Sequence, residues 1–180
     1  ILITGGLGFI GSHLAKELIK YSNKIYIIDN FKTRQKSKIE FINKYKKNIT
    51  FIKSDVSNFK KLPYLIKNVD IIYHLAASMG VENVIKKKPT YSILNNLKST
   101  ENIFHLCAKF NKRIIFTSSS EVYGLSSKIL VEDARPNLGN PKIVRWSYAY
   151  TKLTEEFLAM SYFREKNLKV TVVRLFNTVG

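Results

Sequence analysis

Cysteine is nearly absent from this chain: Cys107 is the single thiol among 180 residues. An internal disulfide is thereby excluded, and so is a metal site built from several thiolates. Cys107 stands beside Phe104 and Leu106 in a helical pattern, the setting of a buried core thiol. Histidine is scarce too, and His13, His74 and His105 have no metal-ligand spacing. No apolar run is long enough to span a bilayer and none resembles a signal peptide, so a cytoplasmic protein without a membrane partner is expected. Acidic residues are few, 13 against 30 Lys and Arg, which leaves a net charge of +17. Such an excess is one footprint of a nucleic-acid partner. Here the lysines are spread over Lys32 to Lys53, Lys60 to Lys67 and Lys86 to Lys88 with no aromatic interleaving of an RNA-binding kind. They read as solvated helix faces and loops, some of which draw in an anionic substrate, and no nucleic-acid partner is expected. Repeats, low-complexity segments and linkers are also missing. The chain opens inside a strand and ends at Gly180 soon after another, so it is expected to be a fragment that lacks a C-terminal substrate lobe.

What is present fits one globular core. A hydrophobic share of 45% is that of a folded domain, and 180 residues are too few for two ordinary ones. Strand patterns fall near Ile1 to Thr4, Lys24 to Asp29, Ile49 to Lys53, Ile71 to Leu75, Arg113 to Ser118 and Lys169 to Phe176. Helical patterns fall near Phe9 to Lys20, Lys36 to Tyr45, Phe59 to Lys67, Tyr91 to Phe110 and Trp146 to Glu165. Several strands are continuous apolar runs, as strands covered on both faces are. Alternation of strand and helix predicts an α/β fold, a doubly wound parallel sheet of Rossmann type. Gly124 to Arg145 has weak periodicity and carries Pro136, Gly139 and Pro141, so it is predicted to be a long loop near the site.

Gly5, Gly8 and Gly11 sit between the first strand and the first helix. Glycine there lets the backbone turn sharply and approach a pyrophosphate, and the free amides of the helix start then face the anion. The second apolar run, Ile25 to Ile28, ends in Asp29. An acid about 20 residues beyond the glycines is the ribose-binding position of a βαβ dinucleotide site. A ligand-free tight turn would need the glycines but not that acid, so a dinucleotide site is the reading adopted.

Tyr148 and Lys152 are four residues apart and share one helix face. A free tyrosine is a poor base near neutrality, and an adjacent ammonium is expected to lower its pKa. The pair then suits an alcohol–ketone interconversion. An isolated Tyr-x-x-x-Lys recurs by chance on amphipathic helices. Thr117-Ser118-Ser119-Ser120-Glu121 strengthens it, because these hydroxyls end an apolar strand, where ligands bind in open α/β sheets. Trp146 reads as a packing residue.

With these motifs the chain resembles the extended short-chain dehydrogenases/reductases, in particular the NAD-dependent nucleotide-sugar epimerases, dehydratases and decarboxylases. The resemblance covers essentially the whole chain, as its NAD-binding Rossmann domain. It rests on Thr4 to Gly11, Asp29-Asn30-Phe31, Asp55-Val56, His74 to Ala77, Ser118 to Gly124, Tyr148 to Lys152 and Arg174 to Asn177. It implies that Gly5, Gly8, Phe9, Ile10 and Gly11 form the pyrophosphate turn. Asp29 would accept the ribose diol with Asn30 beside it, and Asp55 and Val56 would contact the adenine. Leu75, Ala76 and Ala77 would line the cofactor toward the nicotinamide, and Asn95 would support the site. Ser119 would bond the reacting oxygen, Tyr148 would be the general base, and Lys152 its electrostatic partner and a ribose ligand. Phe176 would lie at the nicotinamide and Asn177 at the substrate phosphates. The implied reaction is oxidation of a nucleotide sugar, a UDP-sugar first among them, at C4, in a homodimer formed through the two long helices.

Ser119-Ser120-Glu121 discriminates among the branches. Dehydratases of the family typically carry Asp-Glu after the hydroxyl residue, and Ser120 stands at the Asp position. Simple 4-epimerases usually lack the glutamate. UDP-glucuronate decarboxylases typically show the pattern found here, and Arg145-Trp146-Ser147-Tyr148 resembles one of their branches. Decarboxylation is therefore placed ahead of 4-epimerisation, with Ser119, Ser120 and Glu121 facing the sugar. A non-catalytic NAD or nucleotide-sugar-binding module is the alternative of another class, which the intact Ser119, Tyr148 and Lys152 disfavour.

Overall fold

A computed structural model describes residues 1–21, 24–32, 36–78, 89–126 and 129–178. Lys86 to Lys88, Arg34 and Gly180 lie outside them. Strands β1 (Leu2–Thr4), β2 (Ile25–Asp29), β3 (Ile49–Lys53), β4 (Ile71–His74), β5 (Arg113–Ser119) and β6 (Lys169–Leu175) alternate with helices. The helices are α1 (Phe9–Leu18), α2 (Lys36–Lys44), α3 (Leu62–Lys67), α4 (Pro89–Lys109) and α5 (Ser147–Lys166). Every pairing is parallel, in the order β3-β2-β1-β4-β5-β6. This is the doubly wound arrangement the alternation predicts.

The period of two along each strand feeds two cores. Leu2, Ile28, Ile72, Ile114 and Phe116 share one core with Leu65, Ile66, Ile103 and Phe104 of the helix layer on that face. Ile3, Ile25 and Ile27 face the opposite layer with Leu7, Ala15 and the half-buried Leu14, Leu18 and Ile42. Phe104 and Phe116 meet edge to face at 5.3 Å, and emptying either site would cost about 3–5 kcal/mol. Cys107 is fully buried in the first core, where burial pushes its thiol up to about 12.

The helix ends differ from the periodicity by identifiable causes. Pro89 starts α4 two residues early, since its fixed φ suits a first turn. Pro63 lies in the first turn of α3, which begins at Leu62 rather than Phe59. Asn167 ends α5 in the left-handed conformation, φ 53°. The loop after Gly124 is tied by an isolated bridge between Gly124 and Asn137. Gly124 has φ 71°, and a side chain there would run into the Asn137 carbonyl. Trp146 is buried against Gly139, in keeping with a packing role. Strand order reverses between β1 and β4, so a crevice opens at their carboxyl ends, after Thr4 and His74. Among the described residues no helix is long and apolar enough to cross a membrane.

Candidate active site

The glycine turn occupies that crevice. Gly5 has φ 68°, its N–H donates to the Ile28 carbonyl at 2.8 Å, and an added Cβ would lie 2.8 Å from the Ala76 nitrogen. A Cβ on Gly11 would lie 2.5 Å from the Gly5 carbonyl oxygen. The turn and the first coil of α1 are therefore in backbone contact. No side chain caps α1 at Gly8, so the amides of Phe9, Ile10 and Gly11 start the helix without intrahelical acceptors. Phe9 and Ile10 are exposed at this end.

Beside the turn lies an acidic edge. Asp29 ends β2, and its two oxygens accept from the Leu7 and Phe31 amides at 3.1 and 2.9 Å. Asn30 donates its side-chain amide to Asp55 at 3.1 Å. Asp55 caps the 3-10 turn Val56–Asn58 through the Ser57 amide, and Val56 is buried beneath it. Burial pushes the Asp55 carboxyl up, but the bonds from Asn30 and Ser57 and the charge of Lys32 outweigh it and hold the group below its ordinary value. Asn95 belongs to this edge as well, since the Ser57 hydroxyl lies 3.0 Å from its side-chain oxygen.

The neighbouring Asn96 faces elsewhere, and sequence reasoning assigned it no role. It is buried, accepts from the Ser78 amide at 2.7 Å and donates to the Ser78 carbonyl at 3.3 Å. This pins the segment Leu75, Ala76, Ala77 that leaves β4. Residues one apart on a helix point about 100° apart, which separates the two asparagines and could have flagged Asn96 as the inward one. Leu75 and Ala76 are fixed from β1: their amides donate to the Thr4 carbonyl at 3.1 Å and to the Thr4 hydroxyl at 3.3 Å.

At the far side, β5 delivers Ser119, whose hydroxyl oxygen accepts from the Glu121 amide at 3.2 Å. The accepting bond leaves its own O–H available to a ligand. Ser120 and Glu121 open the 3-10 turn Ser120–Tyr123, against which α5 packs. Tyr148 lies in the first turn of α5, one turn before the buried Lys152. The Lys152 ammonium donates to the Thr117 carbonyl at 3.0 Å, lies 2.9 Å from Glu155 Oε2, and is 6.0 Å from the centre of the Tyr148 ring.

This arrangement corrects one expectation. Tyr148 is pushed above its ordinary pKa, first by burial and then by the negative charges of Glu155 and Glu121. The ammonium that was to lower it is occupied by Glu155.

Phe176 and Asn177 follow β6 and are exposed, with the Phe176 ring 6.1 Å from that of Tyr123. Arg174 anchors this end: it bonds Glu156 through two nitrogens, at 3.0 and 2.8 Å, and donates to the Glu132 carbonyl at 2.7 Å. Among the described residues no group of three or more His, Cys, Asp or Glu side chains could hold a metal.

Residues 2–180 match the family described as GDP-mannose 4,6 dehydratase. A UDP-N-acetyl-alpha-D-glucosaminuronate decarboxylase of Bacillus cytotoxicus is 39% identical over 99% of this chain and 54% of its own length. UDP-glucuronic acid decarboxylase 4 of Arabidopsis thaliana is 35% identical over the whole chain and 39% of its own length. Among solved structures, a UDP-N-acetylglucosamine 4-epimerase from Methanobrevibacter ruminantium in complex with UDP-N-acetylmuramic acid superposes with a TM-score of 0.86. It is 32% identical, with 99% of this chain and 55% of that one covered. A Bacillus cereus UDP-glucuronic acid 4-epimerase, bound to UDP-glucuronic acid and NAD, gives 0.83 at 31% identity over 96% and 55%. This chain thus spans about half the length of these relatives, or less. Parallel sheet, glycine turn, Tyr148–Lys152 helix and family match agree, and the chain belongs to the GDP-mannose 4,6-dehydratase family of extended short-chain dehydrogenases/reductases, the NAD-dependent epimerases and dehydratases.

Proposed function

We propose that the full-length protein carrying this chain is an NAD-dependent enzyme that oxidises a UDP-sugar at C4, and that its reaction is decarboxylation of UDP-glucuronate. The observation that carries this reading is the convergence of the glycine turn, Ser119 and the Tyr148–Lys152 helix on the carboxyl ends of one parallel sheet. The two decarboxylase relatives, at 39% and 35% identity, support the choice of reaction.

The residues fit NAD. Gly5 and Gly11 leave no room for side chains, so the turn offers bare backbone to a pyrophosphate, with the amides of Phe9, Ile10 and Gly11 facing the anion. Asp29, with Asn30 beside it, accepts from ribose hydroxyls, while Asp55 and Val56 serve the adenine end. Leu75, Ala76, Ala77 and Phe176 flank the nicotinamide end. When bound, the cofactor supplies the hydride acceptor for the sugar C4.

The protein groups handle the protons. Ser119 donates its free O–H to the C4 oxygen and orients it. The Tyr148 phenol oxygen takes the C4 hydroxyl proton once it has given up its own, a loss that burial, Glu155 and Glu121 oppose and that Lys152, one turn away, is the cation on hand to favour. Oxidation turns glucuronate into a β-keto acid. Its C5–carboxylate bond then breaks, the electron pair moves into the C4 carbonyl, and carbon dioxide leaves. Glu121, with Ser120 next to it, manages the proton that C5 takes up. Asn177 serves the substrate phosphates.

A UDP-sugar 4-epimerase is the second reading, favoured by the two 4-epimerase neighbours at TM-scores of 0.86 and 0.83. Exposed Leu94, Phe157 and Phe163 on α4 and α5 support a homodimer through these helices. The test supplies the full-length protein with NAD and UDP-glucuronate and measures carbon dioxide. Release is expected, with Glu121→Gln slowing it more than the first hydride transfer seen in nicotinamide absorbance. Epimerised glucuronate without gas, or interconversion of UDP-glucose and UDP-galactose, would replace decarboxylation by epimerisation.

A further inference from the structure

One turn beyond Lys152, helix α5 carries an acid that the proton handling above does not use. Glu155 is fully buried. Its Oε1 accepts from the Thr100 hydroxyl of α4 at 2.6 Å, and its Oε2 lies 2.9 Å from the Lys152 nitrogen. Oε2 has no aligned hydrogen-bond donor, so the lysine is held there by charge. The Lys152 ammonium rests 4.7 Å over the Phe116 ring, nearer to it than to the Tyr148 ring at 6.0 Å.

Glu155 also ends a buried chain of hydrogen bonds whose direction its charge decides. A carboxylate only accepts, so Thr100 gives it its one hydroxyl proton. Thr100 Oγ1 must then accept from His74 Nε2, 3.2 Å away. That fixes the neutral Nε2–H tautomer, because burial first and Lys152 second push His74 down to about 3. His74 Nδ1 is left as acceptor for the Thr4 hydroxyl at 2.7 Å, and Thr4 Oγ1 accepts from the Ala76 amide. Every donor from Ala76 to Thr100 points toward Glu155. The chain joins the end of β1, where the glycine turn starts, to the lysine of the catalytic pair.

We propose that Glu155 is a positioning residue for the reaction: it holds the Lys152 ammonium on the α4 side, away from Tyr148, and so governs how readily the Tyr148 phenol gives up its proton. The inference rests on the Tyr148–Lys152 reading above. The charged groups around the phenol are Lys152 and Glu155 on its own helix and Glu121 on the 3-10 turn, with neutral His74 beneath Lys152 on β4. Of these, Glu155 touches the ammonium directly.

The experiment needs no sugar and no turnover, so its failure is distinct from that of the proposed reaction. The full-length protein, labelled at tyrosine Cζ, is titrated by carbon-13 NMR, with Tyr148→Phe identifying the Tyr148 signal. Glu155→Gln keeps the shape and removes the charge. Its Tyr148 is expected to ionise at least one unit below the parent's, about a tenfold gain in acidity, and Glu155→Asp to restore the parent's behaviour. The same Tyr148 titration in Glu155→Gln and parent would overturn the proposal. A second reading uses the unmutated protein and holds if the variant fails to fold. Nitrogen-15 NMR of His74 should show the proton on Nε2. A proton on Nδ1 would reverse the chain, deny Glu155 its carboxylate role and overturn the proposal as well.

Discussion

Leu7 donates its backbone N–H to the Asp29 carboxylate at 3.1 Å, joining the glycine turn to the end of β2 across 22 residues. The other oxygen accepts from Phe31. Both oxygens keep a lone pair and cannot swing away from whatever lies over the turn. A carboxylate so fixed accepts from two ribose hydroxyls and repels a 2′-phosphate. Lys32, the nearby cation that could welcome such a phosphate, donates to the Tyr91 hydroxyl at 2.7 Å and leans on Asp55. NAD is therefore expected to bind the full-length protein at least about tenfold more tightly than NADP, a gap of about 1.4 kcal/mol readable by calorimetry. Equal affinities would contradict the role given to Asp29.

Gly11→Ala places a methyl 2.5 Å from the Gly5 carbonyl oxygen and 2.7 Å from the Gly6 Cα. Both obstacles are backbone, so the turn must shift. Crowding of this kind costs about 1–3 kcal/mol of stability. The larger effect falls on the cofactor, whose pyrophosphate meets the displaced turn. Retention of NAD after gel filtration should be lost while circular dichroism stays that of a folded protein. A variant that keeps its NAD would show that the turn does not hold the pyrophosphate.

Tyr148→Phe removes one oxygen and with it the proton acceptor proposed for the C4 hydroxyl. The full-length variant should retain bound NAD and lose about a hundred- to ten-thousandfold in kcat, the usual worth of a general base. Turnover within a few-fold of the parent would remove Tyr148 from the chemistry.

His74 makes stability depend on pH. Its folded imidazole is held at about 3, against an ordinary 6.5. Between those values the unfolded chain takes up a proton that the folded chain refuses. The contribution is thus complete above pH 6.5 and drains away as pH falls toward 3, by up to about 1.4 kcal/mol for each unit. Urea midpoints should fall across this window, and His74→Asn should flatten that part of the slope. An unchanged slope would mean that His74 is protonated in the folded protein.

The sheet was legible because its strands announce themselves locally. Ile25 to Ile28 is an unbroken apolar run, and all four residues are covered or nearly so. The glycine spacing and Asp29 are likewise features of one short βαβ stretch. What escaped depends on partners far apart in the chain. Thr4 and His74 are 70 residues apart, and Thr100 and Glu155 are 55 apart. No periodicity links them. Tyr148 shows the consequence: the spacing to Lys152 is visible in sequence, but the sign of its shift depends on how deeply it lies and on what else claims the ammonium. The turns Val56–Asn58, Ser120–Tyr123 and Val144–Trp146 are too short to show a helical period, so no pattern could disclose them.

The loop that follows Gly124 is moored at several points, among them the Glu132 carbonyl, which Arg174 holds at 2.7 Å. Gly124 and Asn137 bridge at one place, and beyond it Gly139 receives Trp146 beneath it and the Tyr150 hydroxyl on its carbonyl at 3.0 Å. Gly124 and Asn137 thus meet before the chain reaches α5. A change of length there is met first by this bridge and by the bond from Arg174 to the Glu132 carbonyl, while the entropy of doubling a closed loop adds only about 0.6 kcal/mol. The start of α5, which carries Tyr148, keeps its own seat at Gly139 through Trp146 and Tyr150, apart from that bridge.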